Sequence, residues 1–295
     1  MKALKGTGVA LVTPFDQNKA VDYSALKNLV EDLIQGGVEY LVVLGTTGET
    51  ATLSEKEQQS VIETVIDANQ KRLPLVLGMG GNNTEALKQK IEQTDLSEFS
   101  AILSASPYYN KPSQEGIYQH YKALAEATDK PIILYNVPGR TASNINADTC
   151  LRLAHDFENI IGVKEASADL DQVMAIIQDK PADFLVISGE DGLTFPIVAC
   201  GGAGVISVVA NAYPNEFSEM VRLTLKGNID QARDLHYRLK KLIDLLFEEG
   251  NPGGVKAALS NLQLCEDNLR MPLWPVSQDL KGKIKKEMNR IAQIK

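Results

Sequence analysis

The chain has 295 residues, 44% of them hydrophobic and 23% charged, with a formal net charge of -8. That size and composition suit one large soluble domain, or a barrel with a small appendage. The acidic balance argues against a nucleic-acid partner, because phosphate binding requires a basic face.

Short runs rich in Val, Ile and Leu alternate with longer stretches of helical period. The first run, residues 8–12, precedes a helix over about 23–35, in which Leu26, Leu29, Val30, Leu33 and Ile34 share one face. Gly36 and Gly37 end that helix. The second run, 40–44, leads to a helix over about 54–69, where Ser54 and Glu57 have the spacing of a capping box. The third and fourth runs, 74–77 and 101–103, precede helices over about 84–93 and 114–127. The fifth and sixth, 131–135 and 160–163, precede helices over about 147–155 and 170–178. The seventh, 184–187, leads to a short helix over about 193–200, and the eighth, 204–209, to one over about 214–225.

Fully apolar strands alternating with amphipathic helices predict a parallel sheet covered by helices. Eight such units fit a closed α/β (β/α)8 barrel, usually about 250 residues long. An open doubly wound sheet is the rival, but it more often carries a glycine-rich phosphate loop after its first strand. Here the first run meets Thr13-Pro14-Phe15, and no GxGxxG or Walker sequence occurs. The barrel is placed at 1–226. A C-terminal all-helical region follows at 227–295, with helices marked by Ile229, Ala232, Leu235, Leu239, Leu242, Ile243 and Leu246, then over 255–262 and 280–294.

Cys150, Cys200 and Cys265 are odd in number and far apart, which points to a reducing, cytoplasmic setting rather than to disulfides or zinc. His120, His155 and His236 form no HExxH and receive no role; a carboxylate site for magnesium stays open. Lys2 and Lys5 precede an apolar stretch that Thr13 and Pro14 cut short, too short for a signal-peptide core. No apolar run approaches the roughly 18 residues of a membrane span.

Barrel chemistry sits at the C-terminal ends of the strands. Lys164 ends the sixth run. An ammonium among apolar walls loses solvation, which favours the neutral amine, and a neutral amine attacks a ketone to form a Schiff base. The plainer alternative is a lysine capping a strand end in solvent. Tyr135 ends the neighbouring strand and offers a phenol for proton relay, or simply a wall. Thr46 and Thr47, between glycines, offer hydroxyls and N–H groups to a carboxylate, or a tight turn. Arg140 offers a bidentate clamp, or a solvated loop; Tyr109 beside Tyr108 offers a further phenol, or packing. These plain readings are not independent, and finding a lysine, a tyrosine, paired threonines and an arginine on one barrel end weakens them jointly.

Gly45-Thr46-Thr47-Gly48-Glu49, Tyr135-Asn136-Val137-Pro138 and Gly162-Val163-Lys164-Glu165-Ala166 resemble, in order and spacing, the motifs of the N-acetylneuraminate lyase superfamily. Pro107-Tyr108-Tyr109-Asn110-Lys111-Pro112 and Asn136-Val137-Pro138-Gly139-Arg140-Thr141 are similar to the dihydrodipicolinate synthase family within it. The likeness extends to Asn251-Pro252-Gly253-Gly254-Val255-Lys256. It implies condensation of pyruvate with L-aspartate 4-semialdehyde to 4-hydroxy-tetrahydrodipicolinate, toward diaminopimelate and lysine. Carried over, Lys164 forms the pyruvate imine, and Thr46, Tyr135 and Tyr109 relay protons. Thr46 and Thr47 hold the pyruvate carboxylate, Arg140 holds that of the semialdehyde, and Gly189 and Ile206 line the pocket. No metal or cofactor is implied. The resemblance also implies a homotetramer of tight dimers, with Tyr109 entering the neighbouring site. The rivals are a sugar-acid lyase of the same superfamily and a barrel that only binds.

The family's lysine-sensitive members bind lysine in a crevice at the dimer interface. Ala51, Gly80, Asn82 and Tyr108 match it. Glu55 and Gln58 stand where sensitive enzymes carry histidine, and Ala86 stands at an acidic position, with Glu85 beside it. Weak inhibition by lysine, or none, is the expectation.

Overall fold

In the computed structural model, which describes residues 2–293, each apolar run forms a strand. The strands are β1 (Gly6–Ala10), β2 (Tyr40–Val43), β3 (Leu75–Gly78), β4 (Ala101–Ala105), β5 (Ile132–Asn136), β6 (Ile160–Glu165), β7 (Leu185–Ser188) and β8 (Gly204–Ser207). All are parallel, they pair in sequence order, and β8 pairs with β1 to close the barrel. The expected (β/α)8 architecture is therefore the observed one.

Around the barrel run α1 (Tyr23–Gln35), α2 (Glu55–Asn69), α3 (Thr84–Gln93), α4 (Gln114–Glu126), a short α5 (Pro138–Thr141), α6 (Ala147–Asp156), α7 (Leu170–Asp179), α8 (Thr194–Ala199) and α9 (Pro214–Leu225). The chain ends with α10 (Ile229–Phe247), α11 (Gly253–Asn261) and α12 (Gln278–Gln293); residue 294 of the predicted last helix lies outside the described residues. The Ser54 capping box is present as read, with the Glu57 N–H donating to the Ser54 hydroxyl and the Glu57 carboxylate accepting from the Ser54 N–H. No sequence signal announced α5, which spans a single turn too short for a hydrophobic period to register. Among the described residues, no helix is long and apolar enough to cross a membrane.

Two apolar layers result. One lies between strands and helices and includes Val9, Leu41, Ile102, Val163 and Val186. The other fills the barrel interior and includes Tyr40, Val42, Ile133, Tyr135, Ile187 and Ile206. Side chains of a regular strand alternate between such layers.

The β6 strand breaks that alternation. Ile132 pairs with Ile160, but Ile133 pairs with Gly162, so Ile161 is an extra residue on β6. Ile161 and Lys164 lie three residues apart, so strict alternation would put them on opposite faces. Instead Ile161 belongs to the interior layer, Val163 to the outer layer, and Lys164 pairs with the interior residues Tyr135 and Ile187. Gly162 makes the bulge possible. A Cβ there would fall 2.6 Å from the Leu185 carbonyl oxygen and 2.9 Å from its Cβ. A one-residue slip thus turns the lysine into the barrel.

Candidate active site

The sequence-predicted residues cluster where barrel sites form, at the C-terminal ends of the strands. Lys164 is not beyond the strand, as the predicted run 160–163 implied, but inside it, because β6 continues to Glu165. Its side chain is 5% exposed. The amine lies 4.4 Å from the centroid of the Tyr135 ring. Among the described residues it has no ion pair and no hydrogen bond.

The other deeply buried lysine among the described residues shows what a structural one requires. Lys256 is 0% exposed; its Nζ donates to Glu49 Oε1 at 2.5 Å and to the Asn268 carbonyl at 2.8 Å. Burying an ammonium without such partners is costly, so a buried amine facing an aromatic ring in an open barrel mouth is suited to chemistry rather than to stability.

Gly189, just past β7, keeps space for Lys164. A Cβ at that position would fall 2.6 Å from the Ala166 Cβ and 3.1 Å from Lys164 Cε. Ile206 is 1% exposed in the interior layer beneath, on β8. Beyond Gly189 come two carboxylates, Glu190 and Asp191, to which the sequence assigned no role. Burial raises the Glu190 carboxyl above its ordinary range, with Asp191 adding to the effect and Lys164 and Arg140 opposing it. Asp191 is also raised by burial, while its Oδ2 accepts the Val208 and Val209 N–H groups at 3.0 and 2.8 Å. An acidic pair directly after a barrel strand was the available signal for both.

Thr46 and Thr47 open a 3-10 turn, Thr46–Gly48, after β2. Thr46 is exposed and Thr47 buried. The turn is tied down by Thr13 Oγ1, which donates to the Gly48 carbonyl at 2.7 Å, and by Thr50 Oγ1, which donates to the Gly45 carbonyl at 3.1 Å. Leu44 and Glu49 on either side adopt left-handed backbone, φ 57° and 53°. Such strain in non-glycine residues persists only where surrounding contacts impose it, and it concentrates at functional loops.

Arg140 and Tyr109 are not drawn in. Arg140 lies exposed on α5, and Tyr109 is 88% exposed with φ 73°. They do share one loop cluster, since the Tyr109 N–H donates to the Thr141 carbonyl at 3.3 Å. Beneath, Glu165 is buried beside the lysine and accepts from Asn136 Nδ2, Gln172 Nε2 and the Ser167 N–H, which fixes the ends of β5 and β6 to each other.

Asn82 Nδ2 donates to the Tyr108 carbonyl at 3.1 Å, and Ala51, Glu55 and Gly80 are exposed. Gln58 Nε2 donates to the Leu53 and Thr50 carbonyls at 3.1 and 3.4 Å, so both of its N–H groups are engaged within the chain. Lys90 Nζ donates to Gln58 Oε1 at 3.4 Å, which sets a cation beside it.

Comparison with known proteins agrees with this geometry. The model of the "Dihydrodipicolinate synthetase family" matches residues 3–291. A protein of Flavobacterium psychrophilum named 4-hydroxy-tetrahydrodipicolinate synthase is 58% identical over 284 residues, covering 96% of this chain and 97% of its own. One of the same name from Parabacteroides distasonis is 54% identical over 272 residues, covering 92% of each chain. A crystal structure described as chloride-inhibited dihydrodipicolinate synthase from Acinetobacter baumannii complexed with pyruvate superposes with a TM-score of 0.95. It is 38% identical and covers 99% of this chain and 100% of its own. With a closed barrel, an inward lysine against a tyrosine, a tethered threonine pair and these relatives along nearly its whole length, the chain belongs to the dihydrodipicolinate synthetase family.

Proposed function

We propose that the chain is a lyase that condenses pyruvate with L-aspartate 4-semialdehyde to 4-hydroxy-tetrahydrodipicolinate. The observation that carries this reading is the buried, unpaired Lys164 amine against the Tyr135 ring. The amine adds to C2 of pyruvate, and water leaves as the imine forms. Loss of a proton from C3 gives the enamine, whose C3 attacks the aldehyde carbon while the new alkoxide takes up a proton. The amino group of the semialdehyde then displaces Lys164 at the imine carbon and closes the ring. Tyr135, Thr46 and Tyr109 move the protons. Thr46 and Thr47 dock the pyruvate carboxylate, Arg140 the second one, and Gly189 and Ile206 shape the pocket.

The imine itself is the electron sink, so this step calls for no metal or cofactor. Purified protein should turn over the semialdehyde with pyruvate in a coupled assay, at an undiminished rate after exhaustive chelation. Sialic acid and 2-keto-3-deoxygluconate should be poor substrates. Faster cleavage of either sugar acid, no turnover at all, or dependence on one divalent ion would overturn the reading. Three free cysteines suit work in the reducing cytoplasm.

The exposure of Tyr109 supports a homotetramer in which it enters a second copy's site, because an exposed aromatic in a strained loop gains from being covered. Lysine should inhibit weakly or not at all. Gln58 has its donors committed, and the Lys90 ammonium opposes a cationic ligand. Losing one charge-assisted hydrogen bond weakens a ligand by about tenfold or more. Sedimentation and a lysine dose–response at saturating pyruvate check both statements. A monomer at working concentration contradicts the first, and half-inhibition at sub-millimolar lysine contradicts the second.

A further inference from the structure

The C-terminal helical region reaches the threonine turn with one side chain. Asn251, between α10 and α11, is buried at 8% exposure, and its Nδ2 donates to Thr47 Oγ1 at 3.0 Å. The other ties on this turn go to the Gly45 and Gly48 carbonyls and to the Glu49 carboxylate. None of them touches the Thr47 hydroxyl. Glu49 makes the support rigid: Oε1 accepts from Lys256, and Oε2 accepts the Arg270 N–H at 3.0 Å. The Asn251 amide is therefore presented by a framework anchored at Glu49, two residues beyond the Thr47 it serves.

The direction of this hydrogen bond matters. A hydroxyl has one proton and two lone pairs. When an amide N–H occupies a lone pair, the proton stays available to donate elsewhere, and the hydroxyl is polarised into a better donor. A carboxylate accepts only. A threonine that spends its proton on a protein acceptor cannot dock one.

We infer that Asn251 is a positioning residue for pyruvate: by donating to Thr47 Oγ1 it fixes that hydroxyl as a donor to the substrate carboxylate. The inference rests on the reading of Thr47 given above. It makes the C-terminal region part of the substrate-binding apparatus, although no residue of that region need touch substrate. Asn251 Oδ1 has no hydrogen-bond partner among the described residues, so the amide is held by its donor side.

The test uses Asn251→Asp, which keeps size and shape but replaces the donor by an acceptor, together with Asn251→Ala. The readouts are the half-saturating pyruvate concentration for borohydride trapping on Lys164, and KM for each substrate. Asn251→Asp should raise the pyruvate values by about ten- to a hundredfold, and Asn251→Ala by about five- to tenfold. KM for the semialdehyde should stay within about twofold. In a Thr47→Val background, Asn251→Ala should add nothing, because the hydroxyl it acts through is gone. An unmoved pyruvate requirement in Asn251→Asp overturns the inference. So does an effect of Asn251→Ala that persists undiminished in Thr47→Val, or failure of both Asn251 variants to fold. If the unaltered protein is not labelled on Lys164, the proposed function fails first. Normal labelling with unmoved half-saturation removes this inference alone.

Discussion

Replacing Lys164 with alanine should abolish borohydride-trapped labelling by pyruvate and lower turnover by on the order of 10³-fold or more. The reason is local. Lys164 is the one group on the barrel mouth placed to attack a ketone from within an apolar wall, with the Tyr135 ring beside it. Among the described residues, Lys256, the other deeply buried lysine, is ion-paired, and the half-buried Lys130 and Lys180 donate to the Phe99 and Pro181 carbonyls. The loss corresponds to about 4 kcal/mol of barrel-mouth catalysis or more, at 1.36 kcal/mol per decade. Peptide mapping after reduction checks the assignment. Label of equal stoichiometry on Lys164→Ala protein, or label mapped to another lysine, rejects it. Stability should change little, since no hydrogen bond or ion pair of a described residue is lost.

The opposite pattern is expected at Lys256. Its side chain and that of Glu49 are both 0% exposed. Burial pulls the Lys256 ammonium toward neutrality, and Glu49 opposes that. Phe15 lies beneath it, with Nζ 4.2 Å from the ring centroid. Lys256→Met fills similar space but leaves the Glu49 carboxylate buried without its cation. Breaking a buried pair from one side costs about 3–5 kcal/mol. At roughly 2–4 °C per kcal/mol for a chain of this size, the melting temperature should fall by about 10 °C. Adding Glu49→Gln to Lys256→Met should recover part of that, because the uncompensated charge is gone. Thermal unfolding of the three proteins settles it. A fall of less than about 2 °C in the single variant, or no recovery in the double, shows that the pair does not carry this stability.

These two lysines also mark how far the sequence can be read. The helices over 23–35, 84–93 and 214–225 appear with the bounds that the sequence predicts. Their signals are local: a period of apolar residues, a side chain that caps the first turn, a glycine or proline that stops or starts it. The eight apolar runs set the strand count and order in the same way. The short motifs around Thr46, Tyr135 and Lys164 marked the mouth of the barrel, because a strand end is visible as the place where an apolar run stops.

What the sequence by itself determined, then, was the alternation, the barrel and the residues at its rim. The inward turn of Lys164 was decided by the pairing of β5 with β6, where Ile161 is an extra residue and shifts the face of all that follows. Gly162 permits that slip, but only the neighbouring strands define the register. Thr47 with Asn251, and Glu49 with Lys256, meet across 204 and 207 residues. Such contacts carry no period and no spacing, so they exist only once the helical region has packed against the closed barrel. The same holds for Gln58 and Lys90, which α2 and α3 bring together. Local rules act within a turn or a strand; the polarity of a buried hydroxyl and the partner of a buried charge are set by whatever the rest of the chain brings beside them.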